Sequence, residues 1–196
     1  MIRQQAHDGQ IMKKRLFMSL IVAALLLSLG CIPSINPYYR KDTRSPKKEF
    51  EGDFTQNEGA EKWQIEGAGN TYKIVHTDDD GNEGKFLGVL FTVDDTLFLD
   101  LEPRKMFSTE NTLYRYHVMP MHTLFKIALD ESGFTLVPSN PEWVKKYLKV
   151  NPTEVPHVMK DDLPILTGST EQLQEFIASH HLSDDFFSKG TKFNRD

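Results

Sequence analysis

Residues Gly88 to Pro103 read GVLFTVDDTLFLDLEP, and the spacing of the apolar residues in and just before this stretch decides the fold. Phe86 to Val93, FLGVLFTV, is an almost unbroken apolar run of strand length, which predicts a strand buried on both faces or lying beneath a helix. Asp94-Asp95 then turns the chain. Beyond it Leu97, Leu99 and Leu101 alternate with Phe98, Asp100 and Glu102, so the leucines share one face of a second strand and the other three residues share the opposite face.

The same grammar extends in both directions. Upstream, Trp63 and Ile65 alternate with Gln64 and Glu66, Gly67-Ala68-Gly69-Asn70 turns the chain, and Tyr72, Ile74 and His76 form the next alternating face. Asp80-Gly81 predicts a type I′ hairpin turn, because glycine accepts the positive φ such a turn demands. Downstream, a polar loop to about Leu113 precedes a long strand from about Tyr114 to Leu129, interrupted at Pro120, which cannot donate to a ladder. Asp130-Glu131-Ser132-Gly133 leads into Phe134 to Val137. Successive strands joined by short turns predict an α+β domain that is mainly antiparallel β, a meander sheet curling toward a small barrel, with two or three short helices.

The helices fall in the second half. Asn140-Pro141-Glu142 supplies a cap, a proline at the first helical position and an early acid; Trp143, Val144, Tyr147 and Leu148 form an apolar stripe, and Asn151-Pro152 stops the helix. Ser169 with Gln172 reads as a capping box opening a helix that turns Leu173, Phe176 and Ile177 inward. Ser183 starts a short turn holding Phe186 and Phe187. Between the helices, His157 to Lys160 and Leu163 to Leu166 read as edge strands, the latter broken by Pro164.

The N-terminal part follows different rules. Lys13, Lys14 and Arg15 precede Leu16 to Leu29, which is apolar apart from Ser19 and Ser28, and small Gly30 precedes Cys31. As a helix, roughly 14 residues rise only about 21 Å against a hydrocarbon core of roughly 30 Å, which favours a cleaved signal over a permanent span. Leu27-Ser28-Leu29-Gly30-Cys31 resembles the lipobox of bacterial lipoproteins. That resemblance implies cleavage before Cys31 and a diacylglycerol on its sulfur, with fatty acyl chains such as palmitate as the membrane anchor. Ser28 departs from the leucine commoner three places before the cysteine. Cys31 is the single cysteine of the 196-residue chain, so no disulfide competes for it.

The expected organisation is therefore 1–11 as a misassigned start or a long n-region, 12–30 as signal peptide, 31–48 as a tether rich in proline and basic residues, and 49–196 as one globular β-rich domain. Between Arg40 and Lys48 the tether carries five basic residues against Asp42, a segment suited to touching anionic headgroups. Residues 49–196 hold 14 basic and 26 acidic residues, and a surface of that sign excludes nucleic acid as a partner. If the cell has two membranes, Ile32 after the cysteine favours the outer one, since it is not the aspartate read for inner-membrane retention.

The domain is also similar to a group of small bacterial lipoproteins without assigned activity. The likeness rests on GVLFTVDDTLFLDLEP, on Pro120-x-His122, on the Trp143 helix and on STEQLQEFI, and spans most of Phe50 to Phe187. It implies fold and envelope location and transfers no catalytic residue.

Candidate chemistry is sparse. His117 and His122 are metal-ligand types, yet five residues apart on a regular strand they point to opposite faces, so they read as ordinary strand histidines with no metal and no cofactor. His180 and His181 end a helix, where the dipole accounts for them. Asp78-Asp79-Asp80-Gly81 resembles a calcium loop only until Gly81 is set at its sixth position, which puts His76 and Leu87 where carboxylates are required. Asp100 and Glu102 read as a solvated face in preference to a catalytic carboxylate pair. No nucleophile elbow or phosphate-binding loop is present. The expectation is a non-catalytic interaction module displayed from a membrane through Cys31, with an envelope protein as partner. The alternative is a lipocalin-like barrel binding a small hydrophobe or lipid, lined by residues such as Trp63, Phe86, Phe98 or Phe134; a hydrolase is a weaker third reading.

Overall fold

The computed structural model describes residues 31–104 and 118–196. In chain order the elements are β1 (Pro33–Ser34), a 3-10 turn (Lys48–Phe50), β2 (Gly52–Gln56), β3 (Lys62–Ala68), β4 (Thr71–Thr77), β5 (Glu83–Val93), β6 (Thr96–Pro103), β7 (His122–Asp130), β8 (Gly133–Pro138), α1 (Pro141–Val150), β9 (His157–Lys160), β10 (Leu163–Leu166), α2 (Thr170–His180) and β11 (Thr191–Arg195). β2 to β8 run as an antiparallel meander, β6 pairs with β7, and β11 returns between β8 and β2 to close an eight-stranded barrel. Closure removes the unpaired edges that an open meander would leave. α1, β9, β10 and α2 form an excursion between β8 and β11, and β1 joins β10 to β7 outside the barrel.

Strand alternation divides the apolar residues into two cores. Phe54, Trp63, Ile65, Ile74, Leu90, Leu99, Leu101, Ile127, Phe134 and Phe193 point inward, and Phe50 of the 3-10 turn meets Phe134 and Tyr72 at 5.2 Å between ring centroids. The outward residues Phe91, Phe98 and Leu124 instead pack beneath Val144 and Leu148 of α1 and Leu173, Phe176 and Ile177 of α2. This is why Phe86 to Val93 is apolar on both faces. Leu90 fills the barrel while Val89 and Phe91 are covered from outside.

Local signals account for the helix ends and turns. Asn140 Oδ1 accepts from the backbone N–H of Glu142 and Trp143 at the start of α1, and the Ser169–Gln172 capping box opens α2. The Trp143 stripe is packed, though Trp143 itself stacks on Tyr147 and meets His180 and Phe186, so its contacts are with α2 and the segment after it. The two-residue turns are made by aspartates: Asp94 and Asp95 (φ 46° and 62°) join β5 to β6, and Asp161 and Asp162 (φ 49° and 69°) join β9 to β10. Asp80-Gly81 is not a type I′ turn. Only Gly81 has a positive φ there, and Asp78 Oδ1 accepts from the N–H groups of Asp80 and Asn82 across a longer loop.

Three further expectations are corrected. β7 begins at His122, after Pro120 rather than across it, because proline ends the ladder; the expected Tyr114 start and His117 lie outside the described residues. Pro164 sits within β10 without breaking it, facing Met159 of β9. Residues 31–48 are not a free tether. Ile32 is 1% exposed and its N–H donates to Ser139 Oγ at 3.0 Å; Ser34 pairs with His122; Thr43 and Ser45 hydrogen-bond along the upper edge of β5; and Lys47 N–H donates to Tyr72 Oη. The prolines and charges that suggested a linker belong to a segment anchored by Ile32 and Tyr38 and, just beyond it, by Phe50. Arg40 pairs with Asp42 and Arg44 stacks on Tyr39, so both guanidinium groups are engaged within the segment.

Candidate functional site

An eight-stranded barrel can carry a ligand inside. Here the interior is occupied by the chain's own rings. Phe134 stacks on Phe193 at 5.1 Å, meets Phe54 edge-on at 5.0 Å and lies 5.9 Å from Trp63, while Trp63 lies 5.8 Å from Phe193. A gap left by a missing side chain is filled as well: a methyl group at Gly88 would meet Ile74 Cδ1 at 2.5 Å. Of the four residues expected to line a pocket, Trp63 and Phe134 face the interior and pack there, and Phe86 packs against the same core while also bordering an open recess. Phe98 faces outward, stacked on Phe187 beneath the helices, because it alternates with the inward Leu97 and Leu99.

A concavity is bordered by residues of β2 to β5, the inward-facing Ile65, Ile74 and Phe86 among them. It is an open recess of about 910 Å³, with Val75 and Leu87 also among its walls, Gln64, Glu66 and Lys85 at its sides, and Arg104 at one end. Its borders mix apolar and charged side chains, as a protein-contact surface does, and contain no convergent set of catalytic groups.

A buried ionisable pair joins the N-terminal segment to the barrel. Asp100, 1% exposed, receives His122 Nδ1 on one oxygen at 2.7 Å and the Tyr38 N–H on the other at 2.7 Å. Burial raises the Asp100 carboxyl, opposed by both hydrogen bonds. On His122 burial alone would lower the pKa, but the hydrogen bond and charge of Asp100 outweigh it and the net shift is upward. Both directions favour retention of a proton by the pair. The expected solvated face of Asp100 and Glu102 is therefore corrected at Asp100, which is buried and held by the Tyr38 N–H of the N-terminal segment. A carboxylate orienting a histidine is half of a hydrolytic arrangement, but no hydroxyl or thiol lies within hydrogen-bonding distance of His122 among the described residues. What the cluster does is fasten Tyr38, and with it β1, to β6 and β7.

Sequence reasoning missed this pair because it depends on register. Asp100 faces Leu124 across β6 and β7, and His122 lies two residues farther along the same face. Burial pushes the Cys31 thiol up to about 12, so the free thiol would be a poor nucleophile or metal ligand. His180 sits in a box of Trp143, Tyr147, Phe176 and Phe186 with Glu154 at 3.4 Å, and His181 Nδ1 reaches the Ile177 carbonyl at 3.0 Å; both are helix-end packing. Asp78 is spent on its own loop, where the hydrogen bonds from Asn82 lower its pKa. Among the described residues no three His, Cys, Asp or Glu side chains are grouped to hold a metal ion, and no helix is long and apolar enough to cross a membrane. His117, the other histidine considered as a ligand, lies outside the described residues.

Comparison of the chain with protein-family models, with curated protein sequences and with solved structures gave no match.

Proposed function

We propose that this protein is a lipid-anchored component of a bacterial cell envelope whose barrel is a rigid, non-catalytic interaction module, held to the membrane through Cys31. The observation that carries the choice of module over ligand carrier is the filled interior, in which Phe54, Trp63, Phe134 and Phe193 occupy the volume that a lipocalin-like barrel leaves for a hydrophobe. Binding then falls to the open recess bordered by β2 to β5. The anchor rests on the sequence from Met12 to Cys31, with its basic start, short apolar run and lipobox. Ile32 directs the product to the outer membrane in a cell with two membranes.

Two measurements test this reading. Intact mass of membrane-extracted protein is expected to show a chain beginning at an acylated Cys31, and Cys31→Ser to abolish lipid labelling; a mature chain beginning elsewhere without lipid refutes the anchor. Titrating the delipidated protein with fatty acids, phospholipids and a fluorescent hydrophobe is expected to leave Trp63 emission unchanged. Saturable binding that alters Trp63, and is lost in Gly88→Val, would reinstate the ligand carrier.

A further inference from the structure

We infer that the folded domain is held flush against the membrane in one orientation, with the seam between the β7–β8 wall and Ser183–Lys189 facing the lipid headgroups. This rests on the anchor proposed above and adds which surface the bilayer meets.

The argument begins with the missing spacer. Cys31 is half-buried, and the next residue is already fixed: the Ile32 N–H is bonded to Ser139 Oγ, its carbonyl accepts from Tyr38 Oη at 3.0 Å, and Pro33 and Ser34 pair with Thr123 and His122. One Cα step, about 3.8 Å, therefore separates the lipid-bearing residue from the rigid wall. A flexible tether of residues 31–48 would instead have an r.m.s. reach of roughly 20–25 Å and leave orientation free.

The surroundings of Ile32 then define the contact surface. Ser139, which holds it, bridges to Phe187; Asn140 Nδ2 donates to the Asp185 carbonyl at 3.0 Å; and Lys126 lies over the Phe187 ring at 4.9 Å. The charges of this seam are mixed, half-buried Lys126 and exposed Lys189 against exposed Asp184 and Asp185, so it lacks the strong negative field of the domain as a whole. Leu182, 82% exposed, follows His181, whose ring meets Phe98, the ring stacked on Phe187. In the barrel's order β3 and β4 stand opposite β7 and β8, so exposed Gln64 on β3 marks the wall turned away from the membrane.

The test uses the lipoprotein processed in cells, purified and reconstituted in phosphatidylethanolamine–phosphatidylglycerol vesicles containing a headgroup-quenching lipid. An acylated Cys31 leaves no free thiol in the parent, so Asp185→Cys and Gln64→Cys each accept a single fluorophore. Quenching is expected to be at least about threefold greater at 185 than at 64, and a Gly-Ser spacer of about 12 residues between Cys31 and Ile32 is expected to erase the difference. Equal quenching without the spacer, in protein whose mass shows the acyl chains, overturns the inference while leaving the anchor standing. A difference that survives the spacer also overturns it, because the surface itself would then be the membrane ligand. An unacylated mass overturns the anchor reading, and the inference with it.

Discussion

Removing the imidazole of His122 leaves the Asp100 carboxylate 1% exposed with the Tyr38 N–H as its remaining hydrogen-bond donor. Breaking a buried pair in this way costs about 3–5 kcal/mol, because the surviving charge is neither hydrated nor matched. Against a total stability of about 5–15 kcal/mol that is a large fraction, and at about 2–4 °C per kcal/mol it corresponds to a fall in Tm of roughly 6–20 °C. His122→Ala, measured by urea unfolding and thermal melting of the chain without residues 1–30, is expected to show that loss. The double variant Asp100→Leu/His122→Leu is expected to recover a substantial part, since an apolar replacement removes the buried charge along with its partner. The pH dependence has a definite sign. A folded-state pKa raised on His122 contributes stability that is fully present below the unfolded value near 6.5 and is lost as pH rises through the folded value. The raised carboxyl of Asp100 acts in the same direction. The parent's urea midpoint is therefore expected to fall with rising pH over that window, with a flatter profile in His122→Gln. If His122→Ala unfolds at the parent's midpoint, or the two pH profiles superimpose, the pair does not fasten the N-terminal segment and the reasoning is wrong.

Other perturbations probe the fold at separate points. Phe193→Ala, which removes a ring stacked on Phe134 from the strand that closes the barrel, is expected to cost about 3–5 kcal/mol by urea unfolding. Trp143→Ala is expected to destabilise by about 3 kcal/mol through loss of its contacts with Tyr147, His180 and Phe186, and a parent-like melt would show that the stripe contributes no packing energy. Asp95→Val is expected to lose about 1–2 kcal/mol because a β-branched residue is strained at φ 62°, whereas Asp95→Gly should match or exceed the parent in Tm.

Periodicity and caps carry local information, and the elements that depend on them are legible in the chain. The alternating leucines of β6, the two-faced apolar run of β5, the Asn140 and Ser169 caps and the strands β9 and β10 are each specified by residues within a few positions of one another, although only β9 is an edge, since β1 pairs with β10 on its other side. The lipobox-like segment before Cys31 is also a local pattern, and its reading as an anchor is the proposal made above. β11 is different. TKFNR has a single large apolar residue and no alternation to mark it, yet β8 and β2 each lack a partner without it, so closure of the barrel recruits the strand. Residues 31–48 show the converse case, a composition that reads as linker but is ordered by Ile32 and Tyr38 within it and Phe50 just beyond it, none of which makes a local pattern. Whether the barrel holds a ligand was equally hidden. Inward aromatics at strand spacing fit a pocket wall or a packed core alike, and only closure brings Phe134 of β8 against Phe54, Trp63 and Phe193. The Asp100–His122 pair followed for the same reason: it joins residues 22 positions apart, and what sets it is the register of β6 on β7, a property of the assembled sheet.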